Sequence, residues 1–187
     1  MRSTFDLSGR PICFDCNLSL KRKNVVLPEI VGDDPKIAFW GMGPGTQEDK
    51  HGRPFVGPAG ELLRASLKQL GIHNYQLLNS VLCLLPGNIE PNAYQAQTCS
   101  PHVRSFIAPT VEIIVLLGRV ALRSAQGKFT LDLSINKNRG KLIMSQLLNM
   151  PCIATYHPSY ILRQNLSAHD FHIFLEDIKR AQLYIEA

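Results

Sequence analysis

The sequence predicts an α/β fold, a three-layer α/β/α sandwich with a central four-stranded, mainly parallel sheet. Three observations predict it. Ile113-Ile114-Val115-Leu116-Leu117 is an unbroken apolar run, as a parallel strand covered on both faces requires. Such runs alternate with stretches whose apolar residues recur at helical spacing. Glycine- and proline-punctuated loops follow the strands, where open sheets of this class place their ligands. With 187 residues, 45% of them hydrophobic, the chain is long enough for one well-buried core, so residues 1–187 read as a single domain.

The elements follow in order. A basic, polar stretch (Lys21, Arg22, Lys23, Asn24) precedes a first strand at 36–41. Residues 57–70 carry Leu62, Leu63, Leu67 and Leu70 on one helical face, and Gly71 ends that helix. A second strand is expected at 75–84, a helix at 92–108, a third strand at 111–117 and a helix at 118–126. The polar, basic segment 134–141 reads as a solvated loop, open to a phosphate contact. A fourth strand at 151–156 and a helix over 168–186, with Phe171, Phe174, Leu175, Ile178, Ala181 and Ile185 on one face, complete the chain.

Two loops carry the chemistry. The first, residues 41–60, begins Gly41-Met42-Gly43-Pro44-Gly45, whose residues fix a turn and let the main chain approach a flat ligand. Its spacing is not that of a dinucleotide fingerprint, and no Gly-Lys-Ser/Thr follows, so the loop does not read as a phosphate cradle. The second, from Thr155 to Arg163, brings His157 to the same rim.

Cys13 and Cys16 form a Cys-x-x-Cys pair, and Cys83 and Cys99 lie far downstream. In a reducing compartment such a set points to a metal site rather than to disulfides, and zinc fits the count as well as an iron-sulfur cluster does. Cys152 sits in a strand that reads as core. A net charge of +5 favours a polyanionic partner. No apolar run reaches membrane-spanning length, and residues 1–10 lack the apolar region of a leader, so the expected location is the cytoplasm of a bacterial, archaeal or phage-infected cell.

The segments Glu48-Asp49, Gly52-Arg53-Pro54-Phe55-Val56-Gly57, Asn79, Pro86-Gly87-Asn88, Leu117-Gly118 and His157-Pro158-Ser159-Tyr160 together resemble the uracil-DNA glycosylase superfamily, most closely its iron-sulfur family 4. The resemblance spans the chain from Cys13 to about Arg163. It implies a monofunctional, monomeric enzyme that hydrolyses the bond between uracil and deoxyribose in DNA. It also implies a structural 4Fe-4S cluster on Cys13, Cys16, Cys83 and Cys99.

Such chemistry needs the nucleotide flipped out of the duplex, a stacking platform, a reader of the base edge, stabilisation of the departing anion and a held water. The resemblance assigns the pocket wall to Gly41, Met42 and Gly43, stacking to Phe55, and edge reading to Asn79, whose amide both donates and accepts. His157 donates to the base O2 as charge develops. Glu48 and Asn88 are the candidates for handling the water. Ser159, Tyr160, Ile161, Leu162 and Arg163 form the loop that enters DNA, with Ile161 or Leu162 as apolar wedge and Arg163 on phosphate. No lysine is placed as a Schiff-base nucleophile, so strand cleavage is not expected.

The chain departs from the family pattern in several places. Met42 stands where family 4 has a glutamate, and Gly43 stands where single-strand-selective relatives have an asparagine. Leu82, Leu84, Leu85 and Ile89 replace basic residues. These departures leave open another deaminated or modified base, or a module that binds DNA without cutting it.

Overall fold

A computed structural model describes residues 4–5, 11–129, 133–165 and 167–187. The leader reading of residues 1–10 thus falls mostly outside the described residues. Of these, Thr4–Phe5 forms β1, paired antiparallel with β2 (Pro11–Ile12). The main sheet comprises β3 (Glu29–Val31), β4 (Ile37–Gly41), β5 (Tyr75–Asn79), β6 (Ile113–Leu117), β7 (Leu142–Met144) and β8 (Pro151–Thr155), in the order β3-β5-β4-β6-β8-β7. The inner strands β5, β4, β6 and β8 are all parallel, as expected. Two antiparallel edge strands, β3 and β7, make the sheet six-stranded rather than four-stranded. Each edge strand has three residues and none of them is buried, so neither carries the apolar run that marks the inner strands.

The helices are α1 (Thr46–His51), α2 (Pro58–Gln69), α3 (Ala93–Ser105), α4 (Gly118–Ala125), α5 (Ile135–Asn138), α6 (Pro158–Arg163) and α7 (Ala168–Glu186). Successive strand residues point to opposite sides. Ala38, Trp40, Leu78, Ile114, Leu116 and Ala154 therefore pack against Val103 of α3 and Ala121 and Leu122 of α4. Ile37, Phe39, Leu77, Ile113, Val115 and Leu117 pack on the other side against Leu63 and Leu67 of α2, Ile161 of α6 and Phe174 and Ile178 of α7. Each leucine, isoleucine, valine or phenylalanine among them taken fully out of water contributes roughly 1.5–3 kcal/mol, which is why these strands tolerate no polar alternation.

The second strand ends at Asn79, five residues before the expected limit at 84. Ser80 turns the chain. Its hydroxyl accepts from the Trp40 indole at 2.9 Å and donates to the Gly41 carbonyl at 3.0 Å, and its amide donates to that same carbonyl. The Val81 amide then donates to the Met42 carbonyl. Val81, Leu82, Cys83 and Leu85 stay buried in a non-repetitive segment, so their apolar run reflects core packing and not strand pairing.

Candidate active site and metal centre

The carboxyl ends of β4 and β5 form the floor of the site, where Gly41 and Asn79 are paired in register. A Cβ on Gly41 would lie 2.6 Å from Asn79 Oδ1 and 2.7 Å from Phe55 Cζ, so a side chain there would push both groups away. Glycine is required at this position because the amide and the ring close over its backbone. Asn79 is 4% exposed, and its side-chain amide has no hydrogen-bond partner among the described residues.

Phe55 adopts φ +54°, a left-handed backbone uncommon for a bulky residue. Three groups hold it. Gly60 lies directly beneath, where an added Cβ would meet the Phe55 carbonyl oxygen at 2.0 Å. Arg64 donates to the carbonyls of Phe55 and Pro54, each at 3.2 Å. Glu29 on β3 bridges Arg64 at 3.0 Å and Arg53 at 2.7 Å. The ring itself is buried with the α2 side of the core while its edge reaches Gly41.

Glu48 holds the first loop together. Its Oε1 accepts from the Val56 and Gly57 amides at 2.9 and 2.8 Å, and its Oε2 accepts from the Gly45 amide at 3.1 Å. A carboxylate at the start of α1 also satisfies amides that the helix leaves open. Asp49 faces away from Glu48's partners and, 3% exposed, accepts from the amides of Lys23 and Asn24. The two adjacent acids thus do separate structural work.

His157 caps α6, and the geometry fixes its tautomer. The Ser159 amide donates to Nδ1 at 3.1 Å, and the Ser159 hydroxyl lies 2.8 Å from the same nitrogen. A backbone N–H only donates, so Nδ1 carries a lone pair and the ring proton sits on Nε2. Burial, reinforced by the charge of Arg163, pushes the His157 pKa down to about 4. The ring is therefore a neutral Nε2–H donor at physiological pH. Gly118, at φ +85° after β6, places its backbone against His157, since an added Cβ would lie 3.1 Å from the histidine Cβ.

The Asn88 turn lies beside the first loop. The Leu85 amide donates to the Pro44 carbonyl at 3.4 Å, and Asn88, exposed with φ +55°, ends the Pro86–Asn88 turn. A Cβ on Gly43 would meet Leu85 Cδ1 at 2.6 Å and Val81 Cγ2 at 2.8 Å. An asparagine like that of the single-strand-selective relatives cannot be accommodated there without repacking. Met42 is half-buried against the core on the α3 side.

Of the residues expected to enter DNA, Ile161 requires a correction. It is 0% exposed and packs with Phe174 and Ile178, because residues 158–163 form a helix that turns this position into the core. The wedge expectation therefore passes to Leu162, which is half-buried. Arg163 is exposed and donates to the Ser159 hydroxyl at 3.3 Å. Tyr160 lies 4.8 Å from Tyr156, ring to ring.

The segment 134–141 differs in part from its reading. Residues 135–138 form α5, positions 134, 136, 137 and 141 are exposed as expected, and Arg139 turns inward to Asp177, 3.4 Å away, and over the Tyr156 ring. Asp177 is 1% exposed and accepts from the Thr155 hydroxyl at 2.9 Å. Burial raises the Asp177 pKa. This network braces the strand that delivers His157. Nothing in the sequence pattern marked it, because Arg139, Thr155 and Asp177 come from separate elements.

Cys13, Cys16, Cys83 and Cys99 line one pocket with Leu18, Val25 and Leu82. Burial drives the Cys83 and Cys99 thiols up to about 12, and each is raised further by charge on the other cysteines of the set. Four sulfurs converging in an apolar recess suit a soft metal centre, whose positive charge offsets their mutual repulsion. Arg22 adjoins the recess. It donates to the Cys13 carbonyl at 2.6 Å, and its Nε is buried without a partner among the described residues. Cys13, Asp15 and His102 also offer ligand atoms within 4.8 Å of one another, His102 being a residue the sequence reading did not single out. Cys152 is apart, fully buried on β8 as expected.

Glycine-rich turns at the carboxyl ends of parallel strands, with a buried amide, an aromatic ring and a neutral histidine at those ends, point to a family as well as a fold. The family model of the uracil DNA glycosylase superfamily matches residues 28–179, and the chain belongs to that superfamily. It is similar to the Type-4 uracil-DNA glycosylase of Thermotoga maritima, 41% identical over 180 residues that cover 93% of this chain and 90% of the relative. It is similar also to the Type-4 uracil-DNA glycosylases of Sulfurisphaera tokodaii, 37% identical over 157 residues (80% of this chain, 71% of the relative), and of Archaeoglobus fulgidus, 32% identical over 156 residues (80% and 78%).

Proposed function

We propose that this protein is a monofunctional uracil-DNA glycosylase, hydrolysing the N-glycosidic bond of uracil in DNA to leave an abasic site for base excision repair. The observation that carries the reading is His157, a neutral donor whose Nε2–H is fixed by its own cap. As the C1′–N1 bond breaks, the bonding electrons leave with the base and charge gathers on O2. An oriented neutral donor stabilises that charge without needing to be protonated first. Water adds its oxygen to C1′, and the proton it releases balances the uracil anion.

Asn79 reads the base edge, donating to O4 and accepting from N3–H, while Phe55 supplies the face on which the base stacks. Gly41 provides the clearance both need. Asn88 holds the water. Glu48 positions the loop, since both of its oxygens are engaged by backbone amides. Arg163 and Ser159 lie on the DNA side of α6, with Tyr160 and Leu162 beside them.

Cys13, Cys16, Cys83 and Cys99 hold a 4Fe-4S cluster, which supplies structural cross-linking rather than chemistry on the base. The orphaned Nε of Arg22 favours an anionic group in that recess. The cluster ties the N-terminal segment, α3 and the turn after β5 to one another. The protein acts as a monomer on cytoplasmic DNA. Among the described residues no helix is long and apolar enough to cross a membrane.

The test is alkaline cleavage of a labelled oligonucleotide containing one uracil, by wild type, His157→Ala and Asn79→Ala, with a hypoxanthine oligonucleotide in parallel. Cleavage at uracil by wild type, lost in both variants, is the expected result. Cleavage at hypoxanthine alone would replace uracil by a deaminated purine, and tight binding with no abasic product in either would leave a non-catalytic module.

A further inference from the structure

We infer that Ile89 is an apolar DNA contact of this chain, bearing on the duplex beside the extruded nucleotide from a turn that Glu90 ties to α4. Ile89 is 72% exposed on a turn whose neighbours Leu82, Cys83 and Leu85 are all buried. An isoleucine left in water is ordinary by itself. Its setting is what gives it a function.

The turn is pinned on both sides of the site. On one side the Leu85 amide reaches the Pro44 carbonyl at 3.4 Å, and Leu85 fills the space over Gly43. Within the turn, the Asn88 amide donates to Leu85 and the Ile89 amide to Pro86. On the other side the Glu90 carboxylate takes Arg119 Nε at 2.7 Å on one oxygen and Arg123 Nη2 on the other. The two arginines hold the Glu90 carboxyl below its usual range against the opposing effect of burial. Arg119 follows Gly118, whose backbone lies against His157. Ile89 thus stands between the first loop and the histidine loop, held by a carboxylate with an arginine on each oxygen.

The α6 turn makes this position more important. Ile161 is withdrawn into the core, and Leu162 is half-buried. Ile89 is therefore the most exposed branched apolar side chain on the described rim. An apolar group pressed on an unstacked base step supports extrusion without adding salt dependence.

The inference rests on the glycosylase reading, so its test includes a readout that does not require cutting. The first part compares Ile89→Ala with wild type on one uracil sequence presented as duplex and as single strand, at several salt concentrations. We expect the duplex KM to rise about tenfold, the change for losing most of one buried aliphatic side chain. Single-strand KM and the salt slope should be unchanged. The second part places 2-aminopurine next to a non-hydrolysable abasic analogue in duplex and follows its fluorescence on binding. The rise given by wild type should shrink with Ile89→Ala, whether or not the protein removes uracil. Equal fluorescence for the two proteins, or equal loss on duplex and single strand, would overturn the inference. Failure of uracil cleavage by wild type with an intact fluorescence difference would overturn the glycosylase reading alone.

Discussion

The Ser159 amide donates to Nδ1 of His157 across 3.1 Å, and this one bond decides which ring nitrogen carries the proton. A histidine that must titrate to act would make the enzyme sensitive to pH near neutrality. His157, with its pKa at about 4, does not. The expected kcat/KM on uracil DNA is flat with respect to this group from about pH 6 upward, since an unperturbed imidazole titrates near 6.5 and this one titrates well below. An inflection near pH 6.5 that disappears in His157→Gln would contradict the assignment.

The same shift has a consequence for stability. Between about pH 4 and 6.5 the unfolded chain binds a proton at this position that the folded chain does not, so stability rises with pH across that window and is full above it. Urea unfolding at pH 4.5 and at pH 7 should show a larger difference for wild type than for His157→Gln, by about 2 kcal/mol. Equal differences would mean that the ring is not desolvated.

Glu48 tests the separation of holding the loop from handling water. Hydrogen bonds to a charged group contribute about 1.5–3 kcal/mol each, and Glu48→Ala removes acceptors for the Gly45, Val56 and Gly57 amides. The expected loss is about 3 kcal/mol or more by chemical denaturation, with a raised KM. Glu48→Gln keeps one acceptor oxygen and should retain a substantial share of both stability and kcat. A Gln variant with normal melting and a kcat reduced by orders of magnitude would show that the carboxylate acts on the water.

Gly43 is filled around by Leu85 and Val81. Gly43→Asn would place the amide that related loops carry into those methyl groups, and overpacking of this kind costs about 1–3 kcal/mol. The melting temperature should fall and the rate should not rise. A faster, equally stable Gly43→Asn enzyme would show that the loop has more room than the structure gives it.

The four-cysteine recess predicts a coupled loss. Cys83→Ser should abolish visible absorbance of anaerobically purified protein and open α3 and residues 11–24 to proteolysis, leaving the central strands protected from hydrogen exchange. Retained colour with four remaining thiols would move the ligand set toward His102 or Asp15.

Much of this was legible in the chain, and the exceptions have physical causes. The inner strands β4, β6 and β8 announced themselves because burial on both faces demands continuous apolar runs, and α7 did so through its long amphipathic face. The edge strands β3 and β7 did not, since three residues facing water on one side leave no period to read. The length of β5 was overestimated because Val81 to Leu85 are as apolar as a strand while making loop contacts.

At the site, the motifs put Gly41, Asn79 and His157 at or just past the carboxyl ends of β4, β5 and β8, with Phe55 against Gly41, because loops after parallel strands leave the sheet on the same side. The orientation of single side chains was not legible. Ile161 reads as apolar and near the DNA, and only the short helix from Pro158 to Arg163 reveals that it faces Phe174. Arg139 likewise reads as a surface base, yet its partners Asp177 and Tyr156 are distant in sequence.

The most direct test of the central claim is single-turnover release of free uracil, quantified against abasic sites formed, from a duplex carrying one uracil and with protein of full iron and sulfide content. One uracil per abasic site, with the rate falling at least a hundredfold in both His157→Ala and Asn79→Ala, on the order expected for loss of an oriented donor, is the predicted result. No uracil released by the intact wild-type protein would contradict the account, as would release undiminished by removing either side chain.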